Sequence, residues 1–88
     1  MTDENALIRE RNRGHLAKQV MDNSVYQDVW AKFDANLLAT ITDGKTPDDR
    51  VLEARRGLII LRQIKRQIEK EFQTGLMATT QLESTASS

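Results

Sequence analysis

From residue 25 the apolar positions fall into a helical rhythm. Tyr26, Val29, Trp30, Phe33, Leu37, Thr40 and Ile41 recur at steps of three and four, which lines one face of a helix. Asp28, Lys32, Ala35 and Ala39 fall on the other side. Asp22-Asn23-Ser24 precedes the stripe and reads as a start signal, since a short polar side chain there accepts a bond from an orphan backbone N–H. This predicts a helix over about 25–42. Its aromatics read as core, with Tyr26 as the one that shows its hydroxyl at the surface.

A second rhythm follows a turn. Thr42-Asp43-Gly44-Lys45-Thr46-Pro47-Asp48-Asp49 is the clearest punctuation in the chain. Gly44 suits a left-handed helix end, Thr46 an N-cap and Pro47 the first helical position. Asp48 and Asp49 then sit where the helix dipole favours anions. Ala54, Leu58, Leu61, Ile64, Ile68 and Phe72 continue at steps of three and four. They predict a helix over 47–74, with Gly75 as its stop and Leu76-Met77-Ala78 as a brief continuation. So short a turn makes the two helices antiparallel neighbours.

The flanks read more weakly. Residues 1–5 look frayed, and 6–21 predict a shorter helix with Leu7, Ile8, Leu16, Ala17, Val20 and Met21 as its apolar contacts. Arg9 to Gly14 interrupts that set, and Gly14 marks either a bend or a close approach to another helix. Thr79–Ser88 is Ser/Thr-rich and reads as a flexible tail behind a single helical domain of residues 1–78. The expected fold is all-α: an antiparallel hairpin with a shorter N-terminal helix, as a three-helix arrangement or a helical oligomer. The third helix outruns the second, so Ile68 and Phe72 need cover from the first helix or from another copy.

Composition narrows the chemistry. The chain has 88 residues, no Cys and one His. Disulfide staples, thiol nucleophiles and Cys-based zinc sites are excluded. His15 has no spaced partner and reads as a surface or interhelical residue, so no metal and no cofactor are expected. No Gly-rich phosphate loop and no nucleophile–base pair is present, so the chain is not expected to be an enzyme, and no residue is assigned a catalytic role. A chain this short buries about 60% of its unfolded surface and usually needs helix packing or association to hold together. No apolar run reaches the roughly 20 residues that span a bilayer, so a membrane partner is not expected. The acidic opening Met1-Thr2-Asp3-Glu4-Asn5 does not read as a secretory leader, which makes the cytoplasm the expected address.

Zero net charge hides a segregation. Residues 22–49 hold six Asp and two Lys, a net of −4, while 50–71 hold seven Lys+Arg and three Glu, a net of +4. Projected at 100° per residue, Arg55, Arg62, Arg66 and Lys70 span an arc of about 80° that also contains Leu52 and Ile59. Aliphatics among arginines resemble an interface more than a nucleic-acid track. The candidate partner surface is therefore Leu52, Arg55, Ile59, Arg62, Arg66 and Lys70, with Phe72 beyond them. Its readings are docking of the first helix, an oligomer or protein interface, and a site for a polyanion. The charges Arg9, Glu10, Arg11, Arg13 and Lys18 read either as a solvated helix face or as an arm that orders on a partner.

Several stretches together are familiar: Arg13-Gly14-His15-Leu16-Ala17, Asp22 to Trp30, Thr46-Pro47-Asp48-Asp49, Glu53-Ala54-Arg55 and Thr74-Gly75-Leu76-Met77-Ala78. Over residues 9–83 the chain resembles a group of short helical-hairpin proteins of tailed bacteriophages and prophages, encoded near head and packaging genes. It departs where such chains often carry a Trp late in the aromatic helix and this one has Ile41 or Thr42. The group has no established catalytic role, so no site residues carry over. The resemblance implies a host bacterial cytoplasm or virion setting. The expected function is non-enzymatic: self-association or docking on a protein partner through the third helix, in virion assembly or as an accessory component. The alternative is a small factor that binds nucleic acid or a nucleotide, or that inhibits a host defence or host enzyme.

Overall fold

The computed structural model describes residues 3–86 and contains three helices in chain order: α1 Glu4–Asp22, α2 Ser24–Thr42 and α3 Asp48–Ala86. There is no strand among the described residues. Contacts cluster in two units. One joins α1 to α3 from Gln67 onward, and the other is the hairpin Asn23–Arg66.

Each helix start has a chemical cause. The Asp3 carboxylate accepts the Asn5 N–H at 3.0 Å, and the Asp3 carbonyl accepts from Leu7. The first helix therefore opens at Glu4, earlier than the frayed start its composition suggests. Asn23, the single residue between α1 and α2, is extended at φ −71°, ψ 123°, and its side chain accepts the Tyr26 N–H at 3.0 Å. This is the N-cap expected of Asp22-Asn23-Ser24.

The turn into α3 works differently from its sequence reading. No glycine has a positive φ, so Gly44 is not a left-handed cap. Asp43 ends α2 instead, at φ −74°, ψ 114°, with its N–H on the Ala39 carbonyl. Its carboxylate accepts the Lys45 N–H at 3.0 Å and the Thr46 hydroxyl at 3.1 Å. The Pro47 carbonyl accepts the first bonds of α3, from Arg50 and Val51.

In the hairpin unit, Leu37 packs on Gly57 and Asp34 reaches Arg62, which fixes an antiparallel register. Ala54 and Leu58 are its buried residues, and no residue of α2 is buried. Tyr26 and Trp30 meet edge to face at 5.5 Å between ring centres. The Tyr26 hydroxyl is buried rather than at the surface. Val29 and Phe33, read from the stripe as core, are exposed, as is Ile64. A two-helix hairpin covers only the strip where its helices touch, and these side chains lie on its flank.

In the other unit α1 runs antiparallel to the later part of α3. Gly14 and Gly75 are buried where the helices cross, with Leu7, Ala17 and Ala78 as the buried side chains nearby in sequence. A Cβ built on Gly14 would lie 2.7 Å from Gly75 Cα, and one on Gly75 2.6 Å from Gly14 Cα. Of the two roles open to Gly14, close approach is the one observed.

Gly75 is therefore not a stop. α3 continues to Ala86, so residues 79–86 are helical and not the flexible tail expected of their composition. Thr79, Thr80 and Thr85 hydroxyls donate to the carbonyls of Gly75, Leu76 and Gln81, four residues back. Back-bonding of this kind lets threonines sit in a helix with their hydroxyls satisfied. Ser87 and Ser88 of the expected tail lie outside the described residues.

Candidate interaction surface

The ridge picked out by the sequence lies on α3. Leu52 and Ile59 are 46% and 52% exposed, and Arg55, Arg62 and Arg66 are exposed with them in the hairpin unit. Lys70 and Phe72 belong to the other unit. Lys70 is exposed, but Phe72 is half-buried. On a helical projection Phe72 stands about 120° from the centre of the arginine arc, so α3 does not present it with the ridge.

Among the described residues the cations of the ridge are mostly unengaged. Arg62 Nε donates to Asp34 Oδ2 at 3.3 Å across the hairpin. Among the described residues Arg55, Arg66 and Lys70 make no salt bridge. An exposed pair such as Arg62–Asp34 is worth at most about 1 kcal/mol, so it holds the ridge only lightly.

The hairpin has a second open face. Asp34 and Arg62 mark one side of it. Phe33 and Val29 stand about 100° and 140° round α2 from Asp34, and Ile60 and Ile64 about 160° round α3 from Arg62. The four therefore share the other side, and they are 45–57% exposed. Sequence reasoning placed Val29, Phe33 and Ile64 inside and did not single out Ile60. Periodicity marks an apolar stripe but not how wide a strip the partner helix covers.

A bidentate ion pair joins the two helices of the α1–α3 unit. Arg13 grips Glu71 with both ends of its guanidinium, Nε to Oε2 at 2.8 Å and Nη2 to Oε1 at 3.2 Å. This hydrogen bonding holds the Glu71 carboxyl below its ordinary value and raises Arg13 in turn. Beside the pair an open groove of about 390 Å³ is lined by Leu16, Ala17, Val20 and Ile68. A second groove of about 350 Å³ lies between Glu4, Ile8 and Arg11 on α1 and Thr79, Leu82 and Glu83 on α3. The close approach of Gly14 is one of its two sequence readings, whereas the Arg13–Glu71 pair and the part played by Gly75 are not read from the sequence. The available signal was the shared spacing of Gly14 and Ala17 with Gly75 and Ala78.

His15 is exposed and stands apart from any metal-type cluster. Among the described residues no group of three or more His, Cys, Asp and Glu is placed to hold an ion. No helix among them is long and apolar enough to cross a membrane. Comparison with known proteins finds no matching family model, no similar curated protein and no similar solved structure.

Proposed function

We propose that this chain is a non-enzymatic helical protein that acts by associating with another protein through the outward ridge of α3. The observation that supports this is the ridge itself: Leu52 and Ile59 stand half-exposed among arginines with little to bind inside the chain. Arginine suits such a surface because its planar fork takes carboxylates bidentately while its stem packs on apolar groups. The partner would offer an apolar patch rimmed by carboxylates. Its setting, a tailed-phage particle or its assembly line, rests on the sequence resemblance.

The test is Ile59→Asp. It leaves helical content unchanged by circular dichroism, because the residue is outside the hairpin contact. It abolishes capture of the protein partner that wild-type chain retains from phage-infected bacteria. A wild-type chain that captures nothing, or a variant that captures as well, removes the reading. A second reading, binding of nucleic acid or nucleotide, draws on the same unpaired cations. It requires retention on such ligands at low ionic strength and steep release by salt.

A further inference from the structure

We propose that the partner of the α3 ridge presents a single acidic amphipathic helix, which lies along α3 from Leu52 to Arg66 and packs on it through a coiled-coil seam. This rests on the reading above, which names a protein partner, and adds the shape and charge of the partner's contact.

Spacing supplies the shape. Leu52, Arg55, Ile59, Arg62 and Arg66 step by three, four, three and four. This is the seven-residue repeat of a coiled-coil seam, with Leu52, Ile59 and Arg66 at one register position and Arg55 and Arg62 at the other. A straight α-helix has 3.6 residues per turn, so a strip that repeats every 3.5 stays in contact only with a second helix wound about it. The strip is narrow as well. Its five positions span about 80° round the helix and rise by about 21 Å along it. A face that packs into a globular core is wider, about 100° or more.

Charge supplies the occupant. Between Leu52 and Arg66, the exposed residues within about 60° of Ile59 round the helix are Leu52, Gln63, Arg55, Arg56, Arg62 and Arg66. Four are arginines and none is a carboxylate. Among the described residues Arg55, Arg56 and Arg66 make no salt bridge, and Arg62 has the 3.3 Å contact to Asp34. A complementary helix sets an apolar residue against each of Leu52 and Ile59, with Asp or Glu beside them in reach of the guanidinium forks. Asp48 is in line with the strip one turn before Leu52, so the acidic stretch of the partner ends there. A second copy does not fit, because a two-fold pair on this strip sets the arginines of one copy against those of the other. Nucleic acid fits less well, since phosphates leave the two aliphatics at the middle of the strip uncovered.

The experiment uses the full chain as bait for a displayed library of random peptides of about 18 residues, with Ile59→Asp as the counter-bait. Enriched peptides are synthesised and titrated by fluorescence anisotropy and circular dichroism. The expected peptides bind wild type and not Ile59→Asp. They carry apolar residues seven apart with Asp or Glu three or four positions away, and they gain helix on binding. Arg55→Glu with Arg66→Glu weakens them at least tenfold, and exchanging their Asp and Glu for Lys restores binding to that double variant. Both arginines are exposed and unpaired, so helical content is expected to be unchanged in the variant. Four results overturn the proposal: no peptide is enriched, the enriched peptides bind without becoming helical, a scrambled peptide of the same composition binds equally well, or a mixed-sequence oligonucleotide displaces the peptide at equal concentration. The third needs no variant to fold. If one of the first three is found while Ile59→Asp still loses the partner captured from infected bacteria, association through the ridge stands and the acidic helix alone falls.

Discussion

At the scale of single residues, the glycines of α3 show how one amino acid serves two ends. Gly75 meets Gly14 backbone to backbone, while a Cβ on Gly57 would rest 3.6 Å from the Leu37 side chain, an ordinary contact. Alanine gains about 1 kcal/mol over glycine in a helix, and no glycine here has a positive φ that would oppose it. At Gly57 that gain stands alone, so Gly57→Ala raises the melting temperature. At Gly14 or Gly75 the new methyl meets a main-chain atom at 2.6–2.7 Å, which no rotamer change relieves. Overpacking costs about 1–3 kcal/mol, so each of these variants is net destabilising despite its better propensity. Thermal melts of the three alanine variants check the prediction. A stabilised Gly75→Ala would show that the helices do not approach this closely.

At the scale of elements, the sequence was legible where a signal has one meaning. Asn23 is the cap its position predicts, and the stripe from Tyr26 to Ile41 gives α2 nearly residue for residue. It misled where a signal has two meanings. Gly75 reads as a stop when nothing local says that another glycine faces it across 61 positions of chain. Thr79, Thr80 and Thr85 read as tail composition because their bonds to carbonyls four residues back are invisible until the helix exists. The extension has work to do. Ala78 is 1% exposed, and Thr79 and Leu82 flank the groove that also holds Ile8. Ending the chain after Met77 therefore removes cover from the first turns of α1. The loss of helical signal by circular dichroism is expected to exceed what the deleted residues themselves contribute. A loss no larger than their own share would mean that α1 holds its fold without them.

At the scale of the whole molecule, the question is what holds the helices of each unit together. The buried apolar residues are Leu7, Ala17, Ala54, Leu58 and Ala78, three of them alanines. Burying a leucine contributes about 1.5–3 kcal/mol and an alanine much less. Ordering the backbone costs about 1–2 kcal/mol per residue, so a chain with this core is marginal alone. The hairpin unit therefore rests on the narrow strip where α2 and α3 touch. Leu58 is the larger of its two buried side chains, and cutting a buried leucine to alanine costs about 2–5 kcal/mol. Ile60 is 57% exposed, so Ile60→Ala stays within about 0.5–1 kcal/mol of wild type. Urea titrations of the two variants check this, and an equal loss for both would show that the strip does not carry the stability of its unit.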